Sequence, residues 1–264
     1  MKNSGLGRKF GLFAIGLAMV IAAIFSKYKG YYPLVIYVLD VLGALLMIAS
    51  VALPEAKKEE HRLSVKEMSM IGVQGAIAAL LYIFVKFNLP IFPSFLDIQI
   101  SEIPALITAF AYGPFAGCMV ILVRFFIKLP FTGTAGVGEV ADLLLGFTLV
   151  VIAGLIYKKK RTFKRALIGT GVGIGTATAF ACLINWLILI PFYLELYFHG
   201  SMAPLIGMCS MIPGINEGNF MPLYIFVGVL PFNLLRYLIV FVLTFVLYKR
   251  VHFLLDRITK SKKN

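Results

Sequence analysis

The stretch VGEVADLLLGFTLVVIAGLIYKKKRTFKRALIGTGVGIGTATAFACLI (137–184) holds two long apolar segments separated by a short basic one. Each apolar segment has about the length, 17 to 25 residues, that a helix needs to cross the hydrocarbon core of a bilayer. Six cations lie between them: Lys158, Lys159, Lys160, Arg161, Lys164 and Arg165. The pattern predicts a pair of transmembrane helices joined by a loop at one membrane surface.

Apolar segments of this kind recur along the whole chain, which has 264 residues, 60% of them hydrophobic and 14% charged. A soluble domain has about a quarter of its residues charged. We therefore predict an all-α, polytopic membrane protein. The expected crossings lie near 10–26, 32–53, 67–87, 102–113, 114–129, 137–157, 166–195 and 222–248. The short pair in the middle is separated at Gly113-Pro114, because proline lacks an N–H group and restricts the residue before it.

The basic residues also predict how the chain is oriented. Cytoplasmic loops accumulate Lys and Arg, and these residues cluster at 158–165, near 57–62 and in the C-terminal tail, whereas 89–101 and 193–221 contain none. Both termini are therefore expected on the cytoplasmic side of a multi-pass protein of the cell membrane. The same clustering accounts for the net charge of +13 without a nucleic-acid partner.

The polar stretch PEAKKEEHR (54–62) is unlike the apolar sequence around it and predicts a domain boundary. It divides residues 1–62, a two-helix transmembrane extension with a cytoplasmic linker, from a core of about six helices at 63–264. Asp40 lies in the middle of the second extra span, so it is expected to face protein rather than lipid. If the extension packs on the core, Arg124 and Lys128 are candidate partners for this carboxylate.

Motifs for enzymatic chemistry are missing from the sequence. The string nearest to a phosphate-binding loop, GTAGVGEV (133–140), has Glu139 where the lysine belongs. There is no HExxH motif, and the three histidines and three cysteines lack the spacing of metal ligands. The glycine ladder at 169–175 does not follow the dinucleotide-binding pattern and indicates close helix packing. We therefore predict no catalytic activity, no metal and no cofactor.

Polar side chains at membrane depth are the remaining candidates for function, because burying them there is unfavourable. Asn185 lies in an apolar run, and Asn233 and Arg236 lie one helical turn apart in the last span. An amide both donates and accepts hydrogen bonds, which suits a heterocycle with an imide edge, whereas a guanidinium only donates. Hydrogen bonding between helices is an equal alternative. For Glu139 and Asp97 the alternative is helix capping, which Asp142 and Glu102 share.

At these residues the chain resembles the riboflavin-binding S components of energy-coupling-factor (ECF) vitamin transporters. The resemblance extends from about Lys66 to Val251 and rests on four stretches taken together. They are FPSFLDIQISEIPALITAFAYGPFAG (92–117), TGTAGVGEVADLLLG (132–146), LINWLILIPFY (183–193) and PFNLLRYLIVFVLTFVLYKR (231–250). The resemblance implies a core of about six helices that binds the vitamin from outside.

The resemblance also implies roles for individual residues. Asn185 and Asn233 look like the amides that hydrogen-bond the flavin ring, and the loop Pro93–Leu96 looks like a lid over the ligand. Phe95 and Leu96 of this lid, with Asp97, Glu139 and Arg236, complete the set of candidate ligand-binding residues. The family usually has lysine at the position of Arg236, and a planar guanidinium there is expected to alter which flavin fits.

Partners follow from the resemblance as well. Transport energy is expected from a transmembrane coupling protein of the EcfT type and two cytosolic ATPases, with riboflavin as the transported ligand and membrane lipid around the bundle. Gly72, Ala76 and Ala79 on the first core helix form a small-residue face for the coupling protein. Two alternatives stay open: an S component for another vitamin, and a membrane assembly protein that binds no ligand.

Overall fold

The structure, a computed structural model, describes residues 64–134 and 136–261, with side chains described as far as residue 248. The predicted crossings near 10–26 and 32–53, and Asp40 with them, lie outside these residues. By its internal contacts the described chain forms a main unit, Ser64–Leu187 with Met202 onward. The segment Ile188–Ser201 does not group with that unit and is described by itself.

Helices make up most of the described chain. In chain order they are α1 (Val65–Phe84), α2 (Ile103–Tyr112), α3 (Pro114–Lys128), α4 (Val137–Lys159), α5 (Phe163–Ile184), α6 (Ile190–Phe198), α7 (Ala203–Met208), α8 (Phe220–Leu223) and α9 (Leu230–Ser261). A 3₁₀ turn spans Leu129–Phe131, and π-helical turns span Asn185–Leu189 and Tyr224–Val229.

Five stretches of the described chain are long and apolar enough to cross a membrane. They are Val65–Phe84, Pro114–Phe131, Val137–Lys159, Phe163–Phe198 and Phe220–Tyr248, and α2 is a shorter apolar helix. The predicted all-α, membrane-spanning class is confirmed, and the helices of the core begin and end within a few residues of the predicted crossings.

The start of α1 is set by a capping box that follows the predicted linker. The Glu67 N–H donates to Ser64 Oγ at 3.2 Å, and the Ser64 N–H donates to Glu67 Oε2 at 2.8 Å. Such a cap satisfies N–H groups that have no partner inside the helix and contributes about 1 kcal/mol. The first core helix therefore has a defined beginning of its own.

The predicted break between α2 and α3 is confirmed at Gly113. Its φ of 101° lies in a region that residues with a side chain rarely adopt, and Pro114 begins the next helix. The Gly113 N–H still donates to Ala109 O at 2.9 Å, so this backbone group keeps its helical hydrogen bond at the turn. The two short helices are consequently separate elements joined by one tight turn.

The glycine ladder packs α5 against α4. A Cβ atom at Gly169 would lie 2.8 Å from Ala153 O, and one at Gly173 would lie 2.9 Å from Leu149 O. Only glycine permits this approach, since both contacts are to backbone oxygens. The interpretation of this ladder as a helix-packing face is confirmed for these positions.

A small antiparallel hairpin encloses most of the loop predicted at 89–101, and its first strand lies just before that loop. Strand β1 (Lys86–Asn88) pairs with β2 (Asp97–Gln99), with Phe87 opposite Ile98. Phe92 and Ile98 are buried against Phe232 of α9, and the Phe92 and Phe232 rings meet edge to face with centroids 5.4 Å apart. The hairpin therefore fixes the predicted lid loop to the last helix.

Aromatic rings hold the opposite end of the bundle together. Phe110 of α2 lies between Tyr157 of α4, with ring centroids 4.9 Å apart, and Tyr248 of α9, at 5.8 Å. The Tyr157 and Tyr248 hydroxyl groups are hydrogen-bonded at 2.9 Å. Edge and tilted ring contacts of this kind stabilise helix packing beyond the area that they bury.

Candidate ligand-binding site

The candidate site lies at the end of the bundle where α1, α3 and α5 finish and α2 and α4 begin. Asn185 is at the end of α5 and begins a π-helical turn. Its Nδ2 donates to Ala181 O at 2.9 Å, and its Oδ1 accepts from the Tyr224 hydroxyl at 2.9 Å. Tyr224 begins the second π-helical turn. π-helical turns are rare and occur often at functional sites, and here a hydrogen bond joins two of them.

Asn233 is buried on α9, just after the second π-helical turn. Its Nδ2 donates to Val229 O at 2.9 Å. Its Oδ1 accepts no hydrogen bond from any described residue. Asn233 is 4% exposed as a whole, but Oδ1 is not among the fully buried atoms that lack a partner, so a ligand can reach it and donate a hydrogen bond to it.

Aromatic rings surround the Asn185 side of the site. The Tyr224 ring stacks on Phe220, with centroids 5.4 Å apart and planes 12° from parallel. Phe95 of the lid loop approaches the Tyr224 ring at 6.0 Å and is 36% exposed. Planar faces next to a polar amide suit an aromatic ligand with a polar edge. Tyr224 and Phe220 are missed by sequence reasoning, because aromatic residues are common in every apolar span.

The lid loop is held in place from inside. Asn88 Nδ2 donates to Leu96 O at 2.8 Å and to Pro93 O at 3.1 Å. Leu96 packs against the Phe92, Ile98 and Phe232 cluster. The structure therefore brings the predicted lid next to the ring that contacts Asn185.

Asp97 has a different place from the one expected of a ligand contact. It lies in β2 and forms an exposed ion pair with Lys86, with Nζ 2.9 Å from Oδ2. This pair links the two strands diagonally, since Asp97 lies opposite Asn88 and Lys86 lies opposite Gln99. The alternative of helix capping does not apply, because Asp97 precedes no helix directly. A contribution of Asp97 to ligand binding stays a prediction.

Arg236 is part of a buried group of charges. Its Nη2 lies 2.5 Å from Glu102 Oε1, and its Nη1 lies 3.0 Å from Asp142 Oδ1. Glu102 is 0% exposed and Arg236 is 4% exposed. Both terminal nitrogens of Arg236 thus point at protein carboxylates, whereas its Nε has no partner among the described residues.

Arg124 completes this charge cluster, which we define as Glu102, Arg124, Asp142 and Arg236. Arg124 Nη1 donates to Ser101 Oγ at 2.6 Å and lies 3.3 Å from Glu102 Oε1, and its Nη2 donates to Asp142 O at 3.2 Å. Two guanidinium groups and two carboxylates balance in charge. Glu102 lies at the N-terminal end of α2, and the other three residues lie on α3, α4 and α9. The charge cluster therefore links four helices.

Tyr82 and Gln99 extend the cluster to α1 and to the lid hairpin. The Tyr82 hydroxyl and Gln99 Nε2, at 3.0 Å, both donate to Asp142 Oδ2. The Arg124 guanidinium lies 5.0 Å from the centre of the Tyr82 ring, within cation–π range. Glu102 occupies the N-cap position of α2, as the alternative of helix capping expects, but its side chain makes no cap hydrogen bond. The signal for the cluster was the presence of both charge signs inside apolar spans.

Glu139 organises the turn that leads into α4. Its Oε2 accepts from Thr132 Oγ1 at 2.7 Å and from Thr134 Oγ1 at 2.8 Å, and its Oε1 lies 3.5 Å from Lys128 Nζ. The side chain is 5% exposed. Glu139 is thus fully engaged with protein groups, and a direct role at the ligand stays a prediction.

The cysteines and other potential metal ligands show no clustering. Within 64–134 and 136–261 there is no group of three His, Cys, Asp or Glu side chains that could hold a metal ion. Cys209 is buried in a loop outside the membrane-spanning segments, and burial raises the pKa of its thiol to about 12. This residue is therefore a neutral packing group at physiological pH.

Apolar helices of membrane-crossing length, with buried amides and aromatic rings gathered at one end, define a helical membrane protein that receives a small molecule. Residues 66–248 match the family described as "ECF transporter, substrate-specific component", and the chain belongs to this family. The protein is accordingly a transporter component and not an enzyme.

Three proteins show what the chain is similar to. It is 30% identical over 193 residues to the riboflavin transporter RibU of Staphylococcus aureus, covering 73% of this chain and 94% of that protein. It is 24% identical over 181 residues to the riboflavin transporter FmnP of Bacillus subtilis, covering 67% and 87%. The solved structure of the S component of a bacterial ECF transporter is similar with a TM-score of 0.55 and 27% identity, covering 72% of this chain and 97% of that one.

Proposed function

We propose that this chain captures riboflavin, or a close flavin, from outside the cell as the substrate-specific subunit of an ECF importer. The observation that carries the proposal is the buried Asn233 amide with an oxygen that accepts no hydrogen bond from the described residues. The imide N–H of a flavin ring is a donor for such an oxygen. The relatives that are named riboflavin transporters support the same ligand.

The remaining candidate residues are assigned by their positions. Asn185 Oδ1 accepts a hydrogen bond from the Tyr224 hydroxyl, so Asn185 would contact the flavin ring either beside this bond or after it breaks. Phe95 and Leu96 of the lid loop would close over the ligand. Arg236 would have to contact the ligand while it stays paired with Glu102 and Asp142, because breaking these buried ion pairs is unfavourable. We assign Asp97 and Glu139 to the support of the lid hairpin and of the turn before α4.

Titration of the purified full-length protein with riboflavin tests this function. Stacking on aromatic rings quenches flavin fluorescence, so a saturable decrease at equimolar ligand is expected. If riboflavin has no effect and another vitamin raises the melting temperature, the chain is an S component for that vitamin. If neither riboflavin nor any other vitamin changes the fluorescence or the melting temperature, the chain is an assembly protein without a ligand.

We further propose that uptake is driven by a transmembrane coupling protein and two cytosolic ATPases, with both termini of the chain cytoplasmic. The first core helix supports a docking role. Gly72 and Ala76 are exposed on α1, whereas Ala79, which was expected on the same face, is 1% exposed and packs inside the bundle. The exposed small-residue face is therefore formed by Gly72 and Ala76 without Ala79.

Gly72→Leu is expected to weaken assembly with the coupling protein by about tenfold to a hundredfold, because overpacking a close helix contact costs about 1 to 3 kcal/mol. A Cβ atom added at Gly72 meets no atom of the described residues within 4 Å, so riboflavin binding should be unchanged. Co-purification with a co-expressed coupling protein measures the effect.

The matched control is Gly171→Leu on α5, where a Cβ atom also meets nothing within 4 Å. It adds the same side chain to another exposed helix and should leave assembly intact. Equal loss of the coupling protein in both variants would show that α1 has no special docking role.

We propose that residues 1–62 are an addition to a complete binding core. The core helix α1 begins with its own cap at Ser64. Arg124 and Lys128, the candidate partners of Asp40, already pair with Glu102 and Glu139. The prediction of an added two-helix extension itself is not tested by these contacts.

A shortened protein that begins at Arg62 is expected to bind riboflavin with an affinity within about twofold of the full chain, a difference of about 0.5 kcal/mol or less. The reason is that the candidate ligand-binding residues all lie beyond the linker. Fluorescence quenching measures the dissociation constant. A shortened protein that is monodisperse in detergent and yet fails to bind would show that the extension belongs to the site.

A further inference from the structure

The turn between α4 and α5 concentrates positive charge at one point of the membrane-spanning bundle. We define the cationic turn as residues 158–165. Five of its six cations are exposed and Arg165 is partly so: Lys158, Lys159, Lys160, Arg161, Lys164 and Arg165. None of them forms an ion pair with any described residue. By contrast, carboxylate partners are present for Lys86, Arg124, Lys128 and Arg236.

The two helix dipoles act on these cations in opposite ways: Lys158 and Lys159 lie in the last turn of α4, where cations are favoured, whereas Lys164 and Arg165 lie at the start of α5. The first turn of α5 contains Lys164 and Arg165 and no acidic residue. Cations in the first turn of a helix are disfavoured by the positive end of the helix dipole. The dipole of α5 therefore adds to the positive potential at Lys164 and Arg165, and no described carboxylate pairs with the cations of the turn.

An apolar groove lies directly beside the charges. Leu155, Ile156, Lys158 and Lys159 line an open groove of about 360 Å³. Leu155 is 44% exposed and lies one helical turn before the two lysines, so both kinds of side chain share one face of α4. Lysine stems can cover apolar surface while their ammonium groups stay in a polar layer.

The groove and the cations lie at the junction of two stretches that are long and apolar enough to cross a membrane. The membrane-crossing stretch of α4 ends at Lys159, and the next one begins at Phe163. Phe163 is 49% exposed at this junction, and aromatic side chains are enriched at the membrane–water boundaries of membrane proteins. A ligand that fills both parts must have an anionic group on an apolar chain.

We propose that the cationic turn and its groove bind an anionic phospholipid, with the phosphate at Lys158 and Lys159 and an acyl chain along Leu155 and Ile156. A soluble acidic partner would match the charges and leave the groove empty. A zwitterionic phospholipid would fill the groove without supplying net negative charge. An anionic lipid meets both requirements, and clusters of four to eight cations next to a membrane-spanning helix are typical of sites that recruit such lipids.

The test uses the full-length protein in detergent, titrated with phosphatidylglycerol or with phosphatidylcholine of the same acyl chains. Bound lipid is counted by native mass spectrometry, and the melting temperature is measured in parallel. Phosphatidylglycerol is expected to bind about tenfold more tightly or better, because each cation near an anionic headgroup contributes about fivefold. Equal binding of the two lipids would overturn the proposal.

The double variant Lys158→Ala/Lys159→Ala is expected to lose most of this preference. The control Lys66→Ala removes an exposed cation elsewhere that likewise has no carboxylate partner among the described residues, and it should keep the preference. A loss of preference per removed charge that is equal at the two places would indicate nonspecific charge attraction and overturn the proposed site. Inorganic phosphate is the third ligand to be tested. If it raises the melting temperature as much as phosphatidylglycerol does, the acyl chain has no role in binding.

Discussion

Glu102→Gln is expected to destabilise the protein by about 3 to 5 kcal/mol, a large fraction of the stability of a folded domain. The Glu102 carboxylate is fully buried and lies between two guanidinium groups, 2.5 Å from Arg236 Nη2 and 3.3 Å from Arg124 Nη1. Glutamine keeps the size of the side chain and removes its charge. Asp142 would then be the only carboxylate of the charge cluster left for two buried cations.

The melting temperature of the purified protein in detergent measures this effect. Asp97→Asn is the matched control, because it removes one carboxylate from the ion pair with Lys86, which is exposed on both sides. An exposed pair contributes about 0 to 1 kcal/mol, so the control should melt close to the unchanged protein. Similar melting temperatures for the two variants would show that the charge cluster does not stabilise the bundle.

Asn233→Ala is expected to weaken riboflavin binding by about tenfold to a hundredfold, which corresponds to about 1 to 3 kcal/mol. The alanine side chain removes the Oδ1 acceptor that the described residues leave without a donor, so the buried donor of the ligand loses its partner. The hydrogen bond to Val229 O at 2.9 Å is lost as well. Isothermal titration of the purified variant gives the dissociation constant.

Leu234→Ala is the control for this variant, because Leu234 is the next residue on α9 and is 45% exposed on the outer surface of the bundle. It should bind riboflavin as the unchanged protein does. A riboflavin affinity that Asn233→Ala leaves unaltered would return Asn233 to the role of a helix-packing residue. Comparing melting temperatures separates loss of the ligand contact from loss of fold.

The two substitutions distinguish two functions of polar groups in one bundle. Glu102 Oε1 contacts two guanidinium groups and links helices, whereas Glu102 Oε2 has no hydrogen-bond partner among the described residues. Asn233 has one partner and one free acceptor within the described chain, and it is suited to a ligand. Burial of polar atoms is unfavourable in both cases, and the chemistry of the partners separates the two roles: Glu102 contacts two cations, whereas Asn233 contacts one backbone carbonyl group.

The amino-acid sequence alone was sufficient to predict the helices. Apolar segments such as 137–159 and 163–184 must become helices in a bilayer, since each backbone N–H and C=O group needs a partner inside its own segment. The break at Gly113 followed from proline chemistry, and the glycine ladder indicated close packing. These are local properties, so they can be predicted without knowing which helices pack against each other.

Tertiary structure alone decided which polar residues face one another. Arg236 was expected at the ligand, and it pairs with Glu102 and Asp142, which are 134 and 94 residues away along the chain. Nothing in the local sequence encodes such a pairing, because it depends on the rotation of each helix about its axis and on the packing of its neighbours. Ala79 turned inward and Gly72 outward for the same reason. The sequence determined that the chain crosses the membrane as helices, whereas only the packed bundle determined which buried polar side chains pair with one another.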